Sequence, residues 1–202
     1  MTNPKLITEF LGTFFLVTTV AFTGNPLAIG IVLMVLVYSG GHVSGAHFNP
    51  AVTLVFYLKK VLSQKEAVSY VIAQALGGLA AALFYAQTHS TFFTPQPADI
   101  SWLAALAVEI IFTFLLVKTI LVVATDSKIR GNQYFGLAIG GALMVAAYAG
   151  GPLSGGAFNP AVGVMPLLID VNSIGANMSS ILLYILGPVI GAVLAHKVHE
   201  LN

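Results

Sequence analysis

The chain has 202 residues, 57% hydrophobic and only 7% charged, with a formal net charge of +1 and no cysteine. Soluble domains carry about 25% charged residues, so a water-facing surface is excluded and a lipid-facing one is required. The missing cysteines exclude a disulfide framework and a thiolate metal site, and the near-neutral charge gives no footing for nucleic acid.

A membrane-spanning helix needs about 20 largely apolar residues. Residues 6–24 form the first such stretch. Glu9 interrupts it and no small-residue cleavage pattern follows, so it reads as a retained span rather than a signal peptide. The second span, 27–42, opens at Pro26, where a missing N–H costs least. Residues 50–58, PAVTLVFYL, stop at Lys59-Lys60 and make only about 14 Å of helix, half of a ~30 Å hydrocarbon core. Further spans follow at 66–87, 101–125 and 133–150. A second short stretch, 160–169 (PAVGVMPLLI), stops at Asp170. The last span, 176–196, contains Pro188, which packed spans tolerate. Gly and Ala recur throughout, as close helix contact in lipid requires.

The fold expected is an all-α membrane domain over 1–202, with six spans and two re-entrant half-helices. It divides into matching halves, about 6–87 and 101–198: TEFLGTF (8–14) answers VEIIFTF (108–114), and Tyr38 through Asn49 answers Tyr148 through Asn159. Three spans per half place the second half upside down, the arrangement of inverted-repeat transporters whose sites lie at the midplane on interrupted helices. Lys5, Lys59, Lys60, Lys65, Lys128, Arg130 and Lys197 all fall on one side of such a chain. By the positive-inside rule that side, with both termini, is cytoplasmic, and the plasma (cell inner) membrane is the expected location. Lys118, inside the fourth span, reads as a side chain that snorkels to the inner interface.

Both short stretches begin with the same triplet, Asn49-Pro50-Ala51 and Asn159-Pro160-Ala161. Asn is a good N-cap and Pro a good first helical residue. Two half-helices entering from opposite faces would bring Asn49 and Asn159 together. Their positive ends would repel cations there and let neutral molecules pass. The stretches before them contain Gly45, Ala46, His47 and Gly155, Ala157, Phe158; irregular backbone at this depth must be buried or line water. Glu9 and Glu109 occupy equivalent places and read as carboxylates accepting backbone N–H bonds from these loops, with a proton relay as the alternative. His42 and His47 precede the first Asn, but no further ligand makes them a metal site. No nucleophile–base pair marks an enzyme and no cofactor is implied. Asn177-Met178-Ser179 fits the glycosylation pattern but sits at a span boundary.

GHVSGAHFNPAVT (41–53), GGPLSGGAFNPAV (150–162), the paired glutamates, IAQALGG (72–78) and LGPVIGA (186–192) resemble the aquaporin, or major intrinsic protein, family over essentially the whole length. The resemblance implies a homotetramer with one pore per subunit, passing water or small neutral solutes. It also implies a second constriction, falling on Ile29, Ala147, Gly156 and Val162. Water channels of the family usually carry Phe, His, a small residue and Arg there; this chain has Val162 for the Arg and Ala147 for the His. Gly163, where glycerol facilitators carry Asp, and the short 88–100 connection favour the water-type branch. A passive water channel is the expectation. The alternatives are a channel mainly for ammonia, hydrogen peroxide, glycerol or urea, and a structural membrane protein with a closed pore.

Overall fold

A computed structural model describes residues 3–169 and 173–201, and among these every regular element is helical. The elements are α1 (Pro4–Thr23), α2 (Pro26–Ser44), α3 (Pro50–Leu58), α4 (Gln64–His89), α5 (Trp102–Thr125), α6 (Phe135–Ser154), α7 (Pro160–Gly163) and α8 (Ile174–Glu200), with 3-10 turns at Ser127–Ile129 and Pro166–Leu168. Six of them, α1, α2, α4, α5, α6 and α8, are long and apolar enough to cross a membrane. Their outward faces carry large aliphatic residues such as Leu103, Ile111 and Leu137, each at least 59% exposed, as a lipid-facing surface does.

Local chemistry explains where the helices start. Asn3, Asn25, Asn49 and Asn159 each sit in extended backbone before a proline, and each side-chain oxygen accepts the backbone N–H two residues on. Helix α4 opens with a reciprocal Ser63–Glu66 capping box. Helices α1, α2 and α6 stop at Gly24, Gly45 and Gly155, all in the left-handed region that a side chain disfavours.

The second half-helix departs from its expected length. The sequence pattern predicts helix over 160–169; the α-helix ends at Gly163 and a 3-10 turn replaces the rest. Pro166 is the cause. It has no N–H to give the Val162 carbonyl, and its ring crowds that turn. The chain then continues with i→i−3 bonds, from Leu167 N to Val164 O and from Ile169 N to Pro166 O. Asp170, the expected end of this stretch, lies outside the described residues.

Packing follows the repeat. Helix α1 lies along α4 as α5 lies along α8, and α2 crosses α6. Each contact is made close by glycines at matched places. A side chain on Gly77 would strike the Phe10 carbonyl, and one on Gly191 the Ile110 carbonyl. At the α2–α6 crossing, a Cβ on Gly30 would come within 2.7 Å of the Gly140 carbonyl, and Gly140 faces the Gly30 carbonyl in return. Close backbone approach of this kind is how helices associate in lipid, where burial against neighbours gains little. Together the two halves surround the short helices α3 and α7.

Candidate functional site

Two buried carboxylates hold the loops that precede the half-helices. Glu9, fully buried on α1, accepts from Ser44 Oγ at 2.6 Å, from His47 N at 3.0 Å and from Phe48 N at 2.8 Å. Glu109, fully buried on α5, accepts from Ser154 Oγ at 2.7 Å, Ala157 N at 3.1 Å and Phe158 N at 2.7 Å. The backbone needs this support. Ala46, Phe48 and Phe158 stand at positive φ of 51°, 49° and 48°, beside Gly45 at 89°, Gly155 at 87° and Gly156 at 67°. Left-handed backbone at non-glycine residues stores on the order of 1–3 kcal/mol each, and it persists only where the surroundings dictate it. Tyr70 and Tyr184 complete both loops by donating to the Ser44 and Ser154 carbonyls, each at 2.8 Å.

The loops bring the two asparagines face to face. Asn49 Nδ2 donates to the Phe158 carbonyl at 3.0 Å, and Asn159 Nδ2 donates to the Phe48 carbonyl at 2.8 Å. Each Oδ1 meanwhile caps its own helix through Ala51 N or Ala161 N, both at 2.9 Å. Each amide therefore clasps the opposite loop with one hydrogen and keeps a second. Asn3 and Asn25 have the same capping geometry in exposed settings and, among the described residues, no such partner, so the Asn-Pro start alone does not mark the centre.

A cavity of about 700 Å³ runs beside this clasp. Its wall includes Gly45, Ala46, His47 and Asn49 from the first loop and Gly156, Ala157, Asn159 and Val162 from the second. Ile29 and a run of aliphatic residues (Leu16, Leu33, Val37, Leu116, Ile120, Leu143) form the facing side. Toward the other end of α2 the wall takes in Tyr38 and His42, with Asp126 and Arg130 from the α5–α6 connection. Among the described residues no donor reaches the carbonyls of Gly45, Ala46, His47, Gly156 or Ala157. One wall is thus polar and unpaired while the other is greasy.

The remaining expected positions lie behind this wall. Pro50, Ala51, Pro160 and Ala161 form the first turns of α3 and α7. Phe158 is buried against Phe112, and Gly155 packs against the Tyr184 hydroxyl and the Gln96 backbone. Ala147 is buried on α6. Asn177 of the glycosylation pattern is 7% exposed and accepts from Gln96 Nε2 at 3.1 Å, so it faces protein. Among the described residues no three His, Asp or Glu side chains are placed to share a metal ion.

Several supports of the two loops carry weak or no signal in the sequence. Ser44 and Ser154 fall inside the repeat aligned over residues 38–49 and 148–159, and Tyr70 with Tyr184 pair when that alignment is extended through 72–78 and 186–192. Thr53 and Gln74 have no such signal, since Gly163 and Pro188 stand opposite them in the second half.

The profile of the Major intrinsic protein family matches residues 2–199. Aquaporin NIP1-1 of Zea mays is 37% identical over 207 residues, covering 94% of this chain and 71% of that protein. Nodulin-26 of Glycine max is 34% identical over 215 residues, covering 98% and 77%. Among solved structures, the aquaglyceroporin from Plasmodium falciparum superposes with a TM-score of 0.80 at 20% identity, over 98% of this chain and 99% of that one, which is a likeness of fold. Six spans, a doubled Asn-Pro-Ala clasp and a profile match across nearly every residue make this chain an integral membrane protein of the major intrinsic protein family.

Proposed function

We propose that the protein is a passive transmembrane channel for water and small neutral solutes, excluding ions and protons where the two Asn-Pro-Ala ends meet. The observation that carries this reading is the cavity wall holding both Asn49 and Asn159, each with an amide hydrogen left over from the clasp. A solute oxygen can accept those hydrogens while the unpaired loop carbonyls accept the solute's own. Positive helix ends and donor-only amides at one point disfavour a cation there. The two ends are unequal, since α3 has nine residues of helix behind it and α7 only four. The amides therefore carry more of the exclusion on the second side. Glu9 and Glu109 act as loop supports, with every acceptor bond directed at the loops or their neighbours, which leaves a proton relay without support.

The constriction supplies a second reading. Ile29 and Val162 line the cavity as aliphatic residues, and Gly156 adds no side chain. Such a filter is wide and offers water no donor, so ammonia, hydrogen peroxide, glycerol or urea becomes the main permeant in this alternative. The names of the aquaporin and nodulin relatives fit either reading. A homotetramer with one pore per subunit, a plasma-membrane location and cytoplasmic termini complete the proposal.

Proteoliposomes under osmotic shock, followed by light scattering, test it. Fast shrinkage in sucrose without proton leak is expected of a water channel. Slow water with fast swelling in glycerol or ammonia selects the second reading, and no flux of any kind would leave a closed-pore structural protein. Val162→Arg should reduce glycerol, ammonia and peroxide flux while water flux persists; unchanged solute flux would remove Val162 from the filter.

A further inference from the structure

The first loop carries a polar chain that the second lacks. Besides its three loop bonds, Glu9 accepts from Gln74 Nε2 at 2.8 Å, so four donors fill the four acceptor sites of its two oxygens. A carboxylate so occupied is an acceptor throughout, and it fixes the Gln74 amide with nitrogen toward Glu9. The same nitrogen lies 2.9 Å from Thr53 Oγ1. Both amide hydrogens are then in use, and Gln74 Oε1 is left buried without a donor. An orphaned buried acceptor in a native core asks for a reason, and the chain continuing beyond it is that reason.

Thr53 Oγ1 accepts from Gln74, and among the described residues its other partner is His47 Nδ1 at 3.1 Å. If Nδ1 carried the proton, the threonine hydrogen would be buried with nothing to bond, which is heavily penalised. If Thr53 donates to Nδ1, every hydrogen in the chain is used and the imidazole proton sits on Nε2. The ring is stacked on Phe56, with centroids 4.4 Å apart, which holds its plane. His47 lines the cavity, and its Nε2 edge lies beside Gly45, where a Cβ would come within 3.3 Å of it.

We propose that Gln74 and Thr53 are positioning residues that lock His47 as its Nε2–H tautomer, so that the first loop presents an imidazole N–H donor to permeants beside the asparagine clasp. The second loop has Ala157, Gly163 and Pro188 in the corresponding places and presents none. The permeant's use of the donor rests on the channel reading above; the tautomer does not.

Solid-state 15N NMR of ring-labelled histidine in lipid bilayers distinguishes the two tautomers, at a pH of about 8 where imidazoles are neutral. His47 signals are assigned by their loss in His47→Ala. The wild-type protein should show Nε2–H alone. Gln74→Glu should reverse the chain: the new carboxyl donates its proton to Glu9 and accepts from Thr53, Thr53 accepts from Nδ1–H, and Nε2 becomes an acceptor. Thr53→Val should release the tautomer, and Thr53→Ser should restore it. Water flux should fall roughly five-fold in Gln74→Glu, as expected for one hydrogen bond lost along the path. An Nδ1–H signal in the wild type overturns the proposal without any variant, so a variant that fails to insert does not protect it. Spectra of Gln74→Glu and Thr53→Val identical to wild type overturn it as well. A reversed tautomer with unchanged flux overturns the permeant's use of the donor. The expected wild-type spectrum in a protein that passes neither water nor solute would instead sink the channel reading.

Discussion

The loops ahead of Asn49 and Asn159 share one plan: left-handed backbone, a buried glutamate from a neighbouring helix, a serine and a tyrosine that complete it, and an amide reaching across to the other loop. They differ in what lies behind that plan. The first loop is backed by a polar chain through Gln74 and Thr53 to His47 and by nine residues of α3. The second is backed by Gly163, Pro188 and a helix that Pro166 ends after four residues. The shared part is what an inverted repeat needs to build one centre from two copies. The unshared part is where the two faces of the pore become chemically different.

The largest test of this comparison removes the carboxylates. Glu9→Leu takes the acceptor from four buried donors and Glu109→Leu from three, of which Ser154 Oγ keeps the Gly150 carbonyl at 3.3 Å, so both should destabilise by about 4 kcal/mol or more, with Glu9→Leu the worse. Thermal unfolding in detergent measures this, and equal losses would mean that the Gln74 branch contributes nothing. Next come the glycines at the helix crossings. Gly77→Val and Gly191→Val both push a side chain onto a backbone carbonyl, and each should lose about 3 kcal/mol by the same assay. This pair should behave alike, because the crossings belong to the shared plan; unequal losses would show that the halves differ in their framework as well. The smallest effect is that of the tyrosine hydroxyls. Tyr70→Phe and Tyr184→Phe each remove one bond to a loop carbonyl and should cost about 1 kcal/mol apiece, with parallel small drops in osmotic water flux. A large flux loss from only one of them would mark that loop as the limiting one.

Much of this was legible in the chain itself. Apolar run lengths placed all six spans, and Asn-Pro starts with glycine stops are local signals that need no tertiary information. The matched glutamates read as loop supports because a proton relay at that depth would undo the exclusion of protons at the paired helix ends. Apolar composition predicts a longer second half-helix than the one that forms, because Pro166 has no N–H for the Val162 carbonyl.

The sequence by itself determined the elements, the repeat and the family resemblance, since these depend on residues near one another along the chain or on patterns copied within it. The tertiary structure decided which of four Asn-Pro starts form the centre, through amides that meet partners 109 and 111 residues away. It also decided that Ile29, Gly156 and Val162 border one cavity, and that Gln74, Thr53 and His47 meet in one hydrogen-bonded chain. Hydrogen bonds are directional over about 3 Å, so a donor's partner is set by where the packed helices carry it, and no spacing along the chain encodes that.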